Sequence, residues 1–175
     1  MPNFTRETSE VAFRFHRDNE WYIQARDGDL FVLRVHATSE RAVELFHRLT
    51  AHLDPSVDVV VEHCRDATSW LGALQDVAQV REAIGRLRWP LASSGGVEFT
   101  LVTPDDQITL MPSLELVIYS RRDHWSVRLA DEGVRARVTA PPAVWHSGHV
   151  PWSPAPDLTG ALSAFAERLA LELAT

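Results

Sequence analysis

The sequence predicts an α+β fold: antiparallel sheet elements, as a three-stranded opening meander plus a five-stranded second meander, with three helices packed mainly on one side. Three observations carry this reading. Apolar residues alternate at period two through many short segments, and they recur at helical spacing in a few longer ones. The turns between the short segments are closely and evenly spaced, which indicates hairpins rather than parallel crossovers. At 175 residues, the chain is read as a single α+β domain spanning 1–175.

In chain order, Val11, Phe13 and Phe15 alternate with Ala12, Arg14 and His16, which is strand periodicity. Trp21, Ile23 and Ala25 mark a second strand, and Phe31, Leu33 and Val35 a third. A three-residue loop at Asp27-Gly28-Asp29 sets Ala25 opposite Phe31 and Ile23 opposite Leu33, giving the opening meander one apolar face. The same parity favours Arg17-Asp18-Asn19 as the first turn.

Thr38 or Ser39 caps the first helix, whose stripe is Ala42, Phe46, Leu49 and Leu53, and Asp54-Pro55 ends it. Val57, Val59 and Val61 read as a strand, with Val60 on its reverse face. A second helix is expected from Asp66 or Thr68, with Trp70, Leu74, Val77, Val80, Ile84 and Leu87 as its stripe and Trp89-Pro90 as its stop.

Ser93-Ser94-Gly95-Gly96 precedes the second meander. Its strands are marked by Val97, Phe99 and Leu101; by Ile108 and Leu110; by Leu114, Leu116 and Ile118; by Trp125, Val127 and Leu129; and by Val134, Ala136 and Val138. No periodicity runs from Ala140 to Pro156, a Pro- and Trp-rich stretch. Asp157 caps a last helix with Leu158, Leu162, Phe165, Leu169 and Leu173 on one seam. From Val97 onward, the meander followed by a C-terminal helix resembles the helix-grip ligand-binding fold, from which the opening meander departs. That resemblance implies a cavity between sheet and helix, with Trp125, Trp145, Trp152 and Tyr119 as its lining.

Composition excludes several chemistries. All 17 basic residues counted as Lys plus Arg are arginines, in keeping with a GC-rich genome. There is therefore no lysine for a Schiff base, a pyridoxal anchor or a phosphate-loop motif. A net charge of −7 argues against general nucleic-acid or anionic-membrane binding. One cysteine, Cys64, rules out an internal disulfide framework, and no apolar run reaches membrane-spanning length, so a cytoplasmic location is expected.

His146 and His149, three apart on an aperiodic loop, have no evident third metal ligand. In Glu62-His63-Cys64, strand alternation sends His63 to one face and the other two to the opposite face, with Cys64 read as a small buried residue. No nucleophile elbow, zinc-protease helix motif or phosphate loop is present. No catalytic residue, metal or cofactor is expected on these grounds.

Two groups of residues remain as candidate contact surfaces. Arg14, His16, Tyr22, Gln24, Arg26, Arg34 and His36 form a basic ridge on the reverse of the opening meander, suited to a carboxylate-rich partner. Val102, Met111, Val117 and Tyr119 lie on the reverse of the second meander beside Glu98, Glu115, Arg128, Arg135 and Arg137. The sequence thus favours a non-catalytic interaction or accessory module, self-associating or bound to a protein partner. A small-molecule-binding protein, or an enzyme derived from one, is the alternative.

Overall fold

The computed structural model of the chain describes residues 20–139 and 157–174. Within them, β1 (Trp21–Asp27) and β2 (Leu30–His36) form a hairpin, followed by α1 (Ser39–Leu49) and a short 3-10 turn at Thr50–His52. A second hairpin, β3 (Ser56–His63) and β4 (Thr68–Asp76), leads into α2 (Val77–Ser94). The meander β5 (Val97–Val102), β6 (Asp106–Leu110) and β7 (Leu116–Ser120) comes next. Then follow α3 (Trp125–Asp131), β8 (Arg135–Arg137), α4 (Leu158–Arg168) and β9 (Glu172–Leu173). The strands join into one sheet in the order β8-β1-β2-β7-β6-β5-β3-β4-β9. Only the β1–β8 pair is parallel; every other pair is antiparallel. The α+β reading and the mainly antiparallel sheet therefore hold, with four helices among the described residues where three were expected over the chain.

Local chemistry explains the helix ends. The Thr38 hydroxyl accepts the Arg41 N–H at 3.2 Å, Asp76 accepts that of Gln79 at 2.9 Å, and Asp157 that of Gly160 at 2.9 Å. Each satisfies one of the orphan donors of a first turn. At the end of α2, Gly95 takes φ 58° and its N–H bonds the Leu91 carbonyl at 3.0 Å. Glycine adopts this left-handed cap without a Cβ penalty. Ser93–Gly96 is thus a helix end and turn.

The core lies on one sheet face. Val57, Val59 and Val61 of β3, Phe99 and Leu101 of β5, Ile108 and Leu110 of β6, and Leu116 and Ile118 of β7 are buried there against Phe46, Leu49, Ile84, Leu91 and Leu162. Phe99 sits 5.2 Å from the Phe46 ring and 5.0 Å edge-on from Phe165, so α1 and α4 meet over one strand.

Several expectations are corrected. Residues 68–76 are a strand, and α2 begins only at Val77. Trp70, Leu74 and Val77 mimic helical spacing, but pairing with β3 satisfies this backbone, and Gly72 is a poor helix former. One extra residue in β4 makes a bulge opposite Asp58, whose carboxylate accepts the Leu74 N–H at 2.8 Å. Leu74 there takes φ 52°. Pro90 does not stop α2: it lies inside the helix and is buried with Leu91. Apolar contact outweighs the hydrogen bond that its missing N–H forfeits.

Trp125–Asp131 is helical, because Trp125 and Leu129 share a helix face as readily as a strand face, and Val127 points to solvent. The five-stranded meander thereby contracts to three strands, and Arg135–Arg137 pairs in parallel with β1 instead. That pairing occupies the edge of β1 at Trp21–Ile23, which the three-stranded opening meander needed. The strand expected at Val11–Phe15 lies outside the described residues.

The β1–β2 register also differs. Asp27 pairs with Leu30 around the two-residue turn Gly28-Asp29, with Gly28 at φ 62°. A positive φ at the first turn residue matches the hairpin twist, and glycine supplies it. Every residue of β1 is consequently shifted by one relative to the expected pairing.

The α1–α2 contact has a pH consequence. Burial, then the Arg81 and Arg88 charges, lower the His47 pKa below 6.5, against smaller opposing effects from the Arg81 backbone and Glu44. Burial and Arg128 lower that of His52, with Glu132 opposing and His124 and Arg81 adding. The unfolded chain therefore binds more protons than the folded one as pH falls below 6.5. Stability should be level above that value and decline below it. A His47→Gln, His52→Gln double variant should show a flatter decline in urea unfolding between neutral and mildly acidic pH; an unchanged slope would exclude these histidines as its source.

Candidate interaction surface

All four helices contribute to the core on the same sheet face, through Phe46, Ile84, Trp125 and Leu162. Among the described residues, no helix covers the other face. Antiparallel pairing keeps directly opposed residues on one side, so the register defines this second face. Its central row reads Val60 (β3), Thr100 (β5), Thr109 (β6), Val117 (β7), Arg34 (β2), Ile23 (β1) and Arg137 (β8). A parallel row carries Val102, Gln107, Tyr119, Val32 and Ala25. A sheet face turned to water is ordinarily polar at alternate positions. Here Val60, Val102, Tyr119, Val32 and Ile23 are half-buried apolar or aromatic residues.

The middle of this face is tightly knit. The Thr100 and Thr109 hydroxyls lie 3.0 Å apart, and the Gln107 amide donates to Thr109 at 3.1 Å. Arg34, directly opposite Val117, extends its guanidinium to 3.9 Å from Glu115. Val117 itself is 4% exposed. Trp21 stacks on His36 with ring centroids 4.8 Å apart. At the rim, Ser56, Asp58, Leu74, Val102, Thr103 and Pro104 line a shallow groove, and the Leu74 side chain is 79% exposed. An exposed leucine held at positive φ is an unusual combination.

The predicted contact residues are distributed as follows. Val102, Val117 and Tyr119 share the helix-free face, as expected, and the C-terminal helix does not cover them, because it packs on Phe99 behind the sheet. The basic ridge is divided. Arg34 and His36 lie on the helix-free face, but the corrected register turns Tyr22, Gln24 and Arg26 to the helical face. Tyr22 is buried there, and burial followed by the Asp123 charge raises its pKa. Arg26 stands 4.5 Å over the Phe31 ring. Arg14, His16, Trp145 and Trp152, like His146 and His149, lie outside the described residues.

Comparison with protein-family models, curated proteins and solved structures finds no match.

The cavity implied by the helix-grip resemblance is not formed by its two described walls. Trp125 is fully buried and Tyr119 lies on the opposite face. Glu62, His63 and Cys64 alternate as expected, but Cys64 is exposed rather than buried. His63 Nδ1 lies 2.8 Å from Asp66, off hydrogen-bond alignment, and Asp66 accepts from Thr159 at 3.1 Å. Alternation directs the thiol away from this imidazole. Among the described residues, no three His, Cys, Asp or Glu side chains gather as metal ligands, and no helix is long and apolar enough to cross a membrane.

Sequence reasoning missed Trp21, Ile23 and Val32 as members of the helix-free face. The available signal was the Gly28-Asp29 pair, which forms a two-residue turn and reverses the parity of β1.

Proposed function

We propose that this chain is a non-catalytic protein-interaction module that binds through the helix-free face of its sheet, in the cytoplasm. The observation that carries the reading is that this face holds the half-buried apolar or aromatic residues Val60, Val102, Tyr119, Val32 and Ile23 among its polar and charged ones, while every described helix packs on the other side. Apolar side chains grouped on a sheet face that no described helix covers mark protein contact sites. Of the four lining residues of the small-molecule reading, Trp125 and Tyr119 do not share a face, which favours the interaction reading.

Site-specific photo-crosslinking tests the proposal. A photoreactive residue at Tyr119 or Val102 should give discrete protein adducts in the native host. One at the exposed Val127, on α3, should not. Equal labelling at all three positions, or none at Tyr119 and Val102, would overturn the assignment. Val117 is the wrong probe, because at 4% exposure its substitution would also disturb the sheet.

A further inference from the structure

The charges on the helix-free face are sorted by strand. Continued one residue past the Phe99–Leu110, Leu110–Leu116 and Val35–Leu116 pairs, with the Met111 N–H on the Glu115 carbonyl at 2.8 Å, the row next to the central one reads Glu62 (β3), Glu98 (β5), Met111 (after β6), Glu115 (before β7), His36 (β2), Trp21 (β1) and Arg135 (β8). Acids occupy the β3–β5–β7 half, with Asp58 added, and Arg34, Arg135 and Arg137, alongside the His36 imidazole, occupy the β2–β1–β8 half. The exceptions are Asp27, at the end of β1, and Arg121, just past β7, and both lie at the same end of the strands.

We propose that the partner of this face is a second copy of the chain, packed sheet on sheet about a two-fold axis that runs along the strands at the β2–β7 boundary. This rests on the interaction-surface reading and names its occupant. Such an axis turns each transverse row back on itself, so β2 faces β7 of the other copy, β1 faces β6, and β8 faces β5. In the charged row, His36 then meets Glu115, Trp21 meets Met111, and Arg135 meets Glu98. In the row of Tyr119, Val32 meets Tyr119 and Ala25 meets Gln107. The central row sets Arg34 over Val117 and Ile23 over Thr109. Arg135 thus meets the opposite charge of Glu98, Val32 meets Tyr119 and Trp21 meets Met111, each contact occurring twice as in any isologous interface. A two-fold axis running across the strands along the charged row would instead lay acid on acid.

The remaining chemistry agrees with this pairing. A thioether against an indole ring is a favourable contact. Sheets stacked with their strands aligned and about 10 Å apart are the usual sandwich geometry. Six strands at about 4.8 Å spacing give a footprint on the order of 500 Å² before side-chain relief. Over both partners that totals about 1,000 Å², the lower end of the range for specific interfaces.

Charge reversal separates this arrangement from any other. By sedimentation velocity, the natural chain should be dimeric, and Glu98→Arg or Arg135→Glu alone should weaken the dimer by about tenfold or more. Each single reversal places two like-charged pairs in the interface. Mixing the two single variants should restore a one-to-one heterodimer, and combining both changes in one chain should restore the homodimer. Circular dichroism should be unchanged, since Arg135 is exposed and Glu98 half-exposed, and unfolding curves should shift only by the stability that the lost dimer contributed. A monomer at all accessible concentrations, or a dimer indifferent to both reversals, would overturn the proposal. If photo-crosslinks from Tyr119 then led to a different protein, the interaction surface would stand and only the second copy would be lost.

Discussion

Phe99→Ala should destabilise the protein by about 3–5 kcal/mol, as expected for deleting a fully buried phenylalanine. Phe99 is 0% exposed, and its ring is the common contact of Phe46 on α1 and Phe165 on α4. Truncation would leave a cavity under both helices and remove two aromatic pairs, each contributing about 0.5–1.5 kcal/mol beyond burial. The strand itself would still pair with β3 and β6, so the loss should come from packing. Urea unfolding is the measurement, with a lower midpoint and an unchanged slope. A loss below about 1 kcal/mol would mean that α4 is not seated on the sheet as described.

Asp106→Leu should have a comparable effect for a different reason. The Asp106 carboxylate is buried and accepts the Trp125 indole N–H at 2.9 Å and the Ser120 hydroxyl. Its own backbone N–H donates to Thr103 at 3.0 Å. This one residue fastens α3 to the hairpin between β5 and β6. Removing the acceptor orphans two buried donors at about 1–3 kcal/mol each, although Ser120 has the Arg122 carbonyl at 2.8 Å as a second outlet. A total near 3 kcal/mol is expected. Asp106→Asn keeps an acceptor oxygen and should recover most of that loss. If the asparagine variant were as unstable as the leucine one, the negative charge would matter more than the hydrogen bonds.

Tertiary context decided the helix-free face more than any local signal did. Tyr119 and Val117 were legible because Glu98 and Thr100 interrupt the apolar run of β5, Gln107 and Thr109 that of β6, and Glu115 sets the same parity at the start of β7. On β1, Trp21 and Tyr22 are adjacent aromatics, and either parity gives a plausible apolar face. The turn length settles it, and Asp27-Gly28-Asp29 is compatible with both readings. The division of the basic ridge follows from that one residue of register.

The sequence alone determined what is local: the α+β class, the capped starts of α1 and α4, the strands β3, β5, β6 and β7, and the chemistry excluded by the lack of lysine. These depend on side-chain period and on capping groups within a few residues, so they survive in any context. The tertiary structure decided what depends on distant partners. Thr68–Asp76 became a strand because β3 offered a ladder, Pro90 stayed helical because the core buried it, and β8 took an edge that is far away in sequence. The two-sided charge sorting belongs to this second group. Strands distant in the chain alternate across the sheet, and only their final order places Arg135 at one end and Glu98 nearer the other.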